Sequence, residues 1–188
     1  MTTGAKLDAI LLAAGFGARF GGGKLTSPYG AGRLIDGALA AAFAAPVRSV
    51  TVVVGADRDV AAIAMRAGAR IVEAFDYAEG LAASLRAAIA NLAEDCDGAF
   101  VFLGDMPKIP HAVLPTLAAA LPGKDAAAPV FAGRRGHPVL IGRGLFKVVM
   151  DLRGDIGAGA LLSTLGDRLA LVEAPDDGVL FDVDQRKE

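Results

Sequence analysis

The chain has 188 residues, 54% of them apolar and 24 of them glycine, with a formal charge of −2. That is too hydrophobic for a disordered chain, and the near-neutral balance supplies no global attraction to nucleic acid or to an anionic membrane. A single cysteine, Cys96, rules out an intrachain disulfide and fits a reducing cytoplasm, where it reads as a small buried hydrophobe.

The chain is long enough for a sizeable core and reads as one domain over 1–188. "LDAILLAA" (7–14) reads as a buried strand, its apolar residues from Ala9 onward continuous rather than alternating. At about seven residues it is too short for a signal peptide, and no segment approaches the length of a membrane span. A glycine-rich stretch follows, then "RLIDGALAAAFAA" (33–45), a helix closed by Pro46. "VRSVTVVV" (47–54) is a second buried strand stopped by Gly55. "DRDVAAIAMRAG" (57–68) is a helix with Asp57 as N-cap and Gly68 as its stop. "ARIVEA" (69–74) is a third strand, "GLAASLRAAIANLAED" (80–95) a helix, and "DGAFVFLGD" (97–105) a fourth strand ending on an aspartate. "IPHAVLPTLAAAL" (109–121) is a helix opening near Pro110 and bent at Pro115. "DAAAPVFAG" and "RGHPVLIG" are extended, helices follow near 143–152 and 158–166, and "RLALVEA" and "VLFDVD" (179–184) read as closing strands. Strand and helix in alternation predict an α/β chain with a largely parallel sheet. Ligands in such sheets sit beyond the carboxyl ends of the strands, where both the glycine loop and Asp105 fall.

The stretch "ILLAAGFGARFGGGKL" (10–25) reads as a strand feeding a phosphate loop, and three templates compete for it. In the P-loop pattern, Ala18 falls where the first glycine belongs and Leu25 where a Ser or Thr would meet magnesium. In the dinucleotide pattern, Phe20 takes the third glycine's place, and the second strand ends without an acid for a ribose. The pattern G-x-G-x-R-x-G-x-x-K is met at every defined position, by Gly15, Gly17, Arg19, Gly21 and Lys24. Glycines let backbone N–H groups approach a polyphosphate, while Arg19 and Lys24 bring charge to an anionic leaving group. The alternative is a glycine-rich surface turn with two solvated cations.

This loop resembles that of the MobA-like nucleotidyltransferases, most closely their molybdenum cofactor cytidylyltransferase branch. The resemblance runs on through "GLAASLRAAI" (80–89), "LGDMP" (103–107), "RGHPVLIG" (135–142), "GDIGAGALL" (154–162) and "DVDQ" (182–185). There are two departures. Gly159 stands where the family usually has arginine, and "DVDQRKE" lacks the Thr-Pro that commonly follows. Both lie on the acceptor or metal side. The resemblance implies a three-layer α/β/α Rossmann-like nucleotidyltransferase fold with a mostly parallel sheet. It also implies a reaction: a substrate phosphate attacks the α-phosphorus of an NTP and pyrophosphate leaves. CTP is the expected co-substrate ahead of GTP, with Mg2+ or Mn2+, and a pterin-type acceptor such as molybdopterin. A molybdoenzyme or its maturation chaperone is a further implied partner; nucleic acid and membranes are not.

A phosphate monoester is already ionised near neutrality, so such a site needs positioning and charge neutralisation rather than a general base. The resemblance gives Arg19, Lys24 and Asp105 the catalytic roles, and Ala13, Ala14, Gly15, Gly17, Gly21, Gly80 and Ser84 the nucleotide, with Gly80 and Ser84 near base and ribose. Asp105, after "FVFLG", is the leading metal ligand, because an ionised carboxylate at a strand end needs a partner; its alternative is capping the next turn. Asp182 and Asp184, on one face if 179–184 is a strand, are further ligands. Arg134, Arg135, His137 and Asp155 are candidates for the acceptor, although Asp155 also reads as an N-cap. Transfer to a sugar phosphate or a methylerythritol phosphate, guanylyl transfer, and nucleotide binding without turnover remain open at this point.

Overall fold

A computed structural model describes residues 4–15, 22–154 and 157–184. Its central sheet follows the order β10 (Leu169–Glu173), β7 (Ala126–Phe131), β9 (Val139–Gly142), β6 (Gly98–Leu103), β1 (Leu7–Ala13), β4 (Val50–Val54), β5 (Arg70–Glu73). The pairs β10–β7, β6–β1, β1–β4 and β4–β5 are parallel. Only β9 runs against its neighbours along this path, pairing antiparallel with both β6 and β7. It returns from β7 through the two-residue strand β8 (Arg134–Arg135). The turn between β7 and β8 holds Ala132 and Gly133 at φ of 50° and 74°, the twist a tight hairpin requires.

Every residue of β1 is buried, including Asp8, whose carboxylate accepts from the Arg48 guanidinium at 3.0 Å and the Ser49 hydroxyl at 3.1 Å. Its side chains alternate between two cores. Leu7, Ala9, Leu11 and Ala13 join one with α1 (Leu34–Ala44), α2 (Arg58–Arg66) and α4 (Val113–Ala120). Ile10 and Leu12 join the other with α3 (Leu81–Ala90), α5 (Phe146–Met150) and α6 (Ala158–Leu162). The result is the expected three-layer α/β/α arrangement. A two-stranded ribbon, β2 (Pro28–Tyr29) with β3 (Gly32–Arg33), precedes α1, whose first turn is closed by Asp36 accepting from the Arg33 N–H at 2.8 Å. No helix among the described residues is long and apolar enough to cross a membrane.

Several boundaries differ from expectation. The 109–121 helix begins at Val113, so Pro115 lies in its first turn, where a missing N–H breaks no helical bond and no bend is needed. Helix α3 stops at Ala90, where Asn91 turns its side chain back onto the Ala87 carbonyl at 2.8 Å. The N-cap of α6 is Gly157. The expected strand over 179–184 is absent: residues 177–180 form a single tight helical turn and 181–184 are irregular. The sheet edge there belongs to β10, and the backbone of 176–184 bonds to loops instead. Cys96 is buried, its Sγ–H pointing at the Gly98 carbonyl, and burial pushes its thiol up to about 11.

Candidate functional site

The order of the sheet decides where a ligand can enter. From β1 the chain builds outward through β4 and β5, then crosses to place β6 on the other side of β1. The loops leaving β1 and β6 therefore part company, and a crevice opens between their carboxyl ends. A cleft of about 290 Å³ lies there. Its rim comes from Ala13, Ala14 and Gly15 after β1, and from Leu103, Gly104 and Asp105 after β6. Lys24 closes one side, and Leu81 and Ser84 of α3 close another. A smaller cavity of about 170 Å³ shares Ala13 to Gly15, Lys24 and Leu25 with it and reaches Asp57 at the head of α2.

On this floor the Lys24 ammonium donates to Asp105 Oδ2 at 2.8 Å and stands 3.8 Å from Asp184 Oδ1. The Asp105 carboxylate accepts no backbone N–H among the described residues, so the turn-capping alternative finds no support. Asp184 reaches the cleft through the backbone: the N–H of Val183 donates to the Asp105 carbonyl at 3.1 Å. Asp182 and Asp184 are both exposed, and the same-face argument linking them lapses with the missing strand; only Asp184 comes within 4 Å of Lys24.

Helix α3 enters the cleft because Gly80 takes a φ of 108°, a conformation that side chains rarely adopt. The next turn buries Ser84 against the cleft while the Ala82 N–H is held by the Gly154 carbonyl at 3.1 Å. That contact brings the 80–89 and 154–162 segments together. Ahead of β9, the His137 N–H donates to the Val179 carbonyl at 2.8 Å. Burial pushes the His137 imidazole down to about 4; Asp105 opposes that shift and Arg135 adds to it. His137 is thus uncharged near neutrality. Arg135 binds the Gly159 carbonyl and Ser163 Oγ, both at 2.9 Å, which ties β8 to α6. Arg134 is exposed on the same ribbon. Gly17, Arg19, Gly21 and Asp155 lie outside the described residues.

Residues 9–169 match the MobA-like NTP transferase domain. The chain belongs to the MobA-like NTP transferases. The activity of this family is nucleotidyl transfer, and its members use nucleotide with a divalent metal. Over 181 residues, 95% of this MobA-like chain and 91% of the other, it is 27% identical to the molybdenum cofactor cytidylyltransferase of Escherichia coli K12. Its fold matches the crystal structure of Rv0371c from Mycobacterium tuberculosis with a TM-score of 0.84 at 26% identity, covering 98% of this chain and 95% of that one. A manganese complex of Rv0371c superimposes with a TM-score of 0.73 at 24% identity, over 92% and 89% of the two chains.

The structure also places residues that the sequence reading passed over. Leu12, Leu25, Leu81 and Leu103 give the cleft of this MobA-like chain aliphatic walls; in the sequence they look like any core leucine. The segment 176–184 crosses the loop after β6 and the turn before β9. Gly136 and Gly178 let it do so, since a side chain at either would run into a backbone carbonyl, of Val179 and Lys108 respectively. Lys108 Nζ sits 4.0 Å over the Phe181 ring, adding a cation–π contact.

Proposed function

We propose that this MobA-like transferase moves CMP from CTP onto the phosphate of a pterin-type acceptor such as molybdopterin, releasing pyrophosphate. The observation that carries this reading is the pairing of Lys24 with Asp105 in the cleft lining, beside Ala13 to Gly15, with Asp184 standing 3.8 Å from the Lys24 ammonium at the exposed edge. The choice of CTP and of a pterin rests on the likeness to the E. coli cytidylyltransferase.

The donor set suits a hard divalent cation. Two carboxylates converge on one position already taken by a cation, the Lys24 ammonium, and magnesium commonly uses one or two carboxylates and completes its shell with phosphates and water. Manganese accepts the same oxygen ligands, as the manganese complex of Rv0371c illustrates for that protein. Asp105 and Asp184 would hold the ion, which when bound neutralises charge gathering on the leaving pyrophosphate. Asp182 is a weaker candidate, since among the described residues it makes no ion pair with Lys24.

The remaining roles belong to the chain itself. The backbone of Ala13 to Gly15, with Gly17 and Gly21, and the side chains of Arg19 and Lys24 cradle the triphosphate. Gly80 and Ser84 bound the base and ribose. The acceptor phosphate, itself the nucleophile, is aligned near Arg134 and Arg135, with Asp155 nearby. Neutral His137 offers a hydrogen bond there rather than a charge. In the reaction an acceptor oxygen bonds to the α-phosphorus, and the bond to the bridging oxygen breaks with its electron pair leaving on pyrophosphate.

Melting temperatures with CTP, GTP, ATP and UTP plus magnesium test the nucleotide choice. A ligand at 100 times its Kd stabilises by about 2.7 kcal/mol, and CTP should give the largest shift. A larger shift with GTP moves the protein to guanylyl transfer. An acceptor series tests the rest: molybdopterin should turn over well and a sugar phosphate or methylerythritol phosphate poorly. The reverse order refutes the pterin assignment, and no turnover with any acceptor leaves a nucleotide binder.

A further inference from the structure

The ion pair on the cleft floor has a consequence for the order in which ligands bind. Lys24 Nζ is 2.8 Å from Asp105 and 3.8 Å from Asp184, and its side chain is only 13% exposed, against 26% and 65% for the two carboxylates. The ammonium therefore sits on the inner side of the pair, and the backbone bond from Val183 to Asp105 keeps the two acids beside it. Among the described residues, no group of three or more His, Cys, Asp or Glu side chains is placed to hold a metal. We propose that Lys24 is a built-in cation that occupies the Asp105–Asp184 position until a triphosphate draws it away, so that the divalent ion enters only together with nucleotide. This rests on the assignment of Asp105 and Asp184 to the metal.

The argument is one of charge. Two carboxylates and one ammonium total −1, and a divalent ion brought to the same place meets a like charge a few ångströms away. A triphosphate changes that balance. It offers Lys24 anionic oxygens of its own and offers the ion oxygens to complete its shell. Metal and nucleotide then bind with positive coupling, and by linkage each raises the affinity of the other equally. A device of this kind keeps the metal off the empty enzyme and commits it only when the substrate is present.

Mn2+ binding followed by electron paramagnetic resonance tests this without turnover. With no nucleotide, the wild type should take up Mn2+ weakly. Lys24→Met and Lys24→Gln should each take it up roughly tenfold more tightly, because a like charge has gone. Lys24→Arg should resemble the wild type, and adding Asp105→Asn to Lys24→Met should abolish the gain. With an α,β-methylene CTP analogue, the wild type should acquire bound Mn2+ and Asp105→Asn should not. If Lys24→Met and Lys24→Gln bind Mn2+ no more tightly than the wild type while Asp105→Asn still loses the complex formed with the analogue, the gating role is overturned and the metal site stands. If Asp105→Asn forms that complex as the wild type does, the metal assignment itself falls, and this inference with it.

Discussion

Asp105 shows how one contact revises an expectation. As an isolated acid at a strand end it would be costly to bury, and its neutralisation would leave the fold unharmed or slightly firmer. The structure instead gives it the Lys24 ammonium at 2.8 Å. Asp105→Asn should therefore lower stability modestly, by about 1 kcal/mol, the scale of a partly exposed ion pair. Turnover should fall far more, by roughly 10²–10³, as when one well-placed electrostatic group is removed from a transition state. Melting temperature and pyrophosphate release measured on the same variant check this; a destabilised but fully active protein would end the assignment. His137 carries a second prediction. Its folded value, about 4, lies below the ordinary 6.5, so between those values the unfolded chain binds more protons. Stability linked to His137 is then complete above about pH 6.5 and declines as the pH falls toward 4. Melting curves of His137→Gln should flatten over that window relative to the wild type. Parallel curves would mean that the imidazole charges freely in the fold.

Among the elements, the segment 176–184 holds the site together, since it delivers Asp184 and braces the turn before β9. Gly136→Ala forces a methyl group against the Val179 carbonyl. It should cost about 1–3 kcal/mol by overpacking, and it should also weaken Mn2+ uptake with nucleotide, because Asp184 moves with the segment. A stability loss with unchanged metal uptake would show that the segment is structural only. This is also where reading from sequence had least purchase. β1 and β4 were legible because largely apolar runs that stop at a glycine have few other fates in an alternating chain. "VLFDVD" alternates like a strand, yet its backbone groups are taken by Asp105 and by its own turn, so periodicity misled. The direction of β9 was equally hidden, because a short apolar run has the same pattern whichever way it lies in the sheet. The motif residues Ala13, Ala14, Gly15, Lys24, Ser84 and Asp105 did converge on one cleft. The leucines beside them did not announce themselves, since a cleft wall and a core make the same demand on a side chain.

For the whole molecule, function follows from the position of the crevice. The strand order reverses between β1 and β6, and the loops released there are the ones that carry the glycines and Asp105. Around that crevice the fold keeps loops from three further regions in register through backbone bonds: α3 to Gly154, His137 to Val179, and Val183 to Asp105. The central claim is that this arrangement performs nucleotidyl transfer rather than hydrolysis or simple binding. Incubation with CTP labelled at the α-phosphate, magnesium and molybdopterin tests it most directly. The label should pass to the pterin with one pyrophosphate released for each molecule labelled, and Asp105→Asn should reduce both together. Label recovered as free CMP, or as unchanged CTP bound to the protein, would contradict the account.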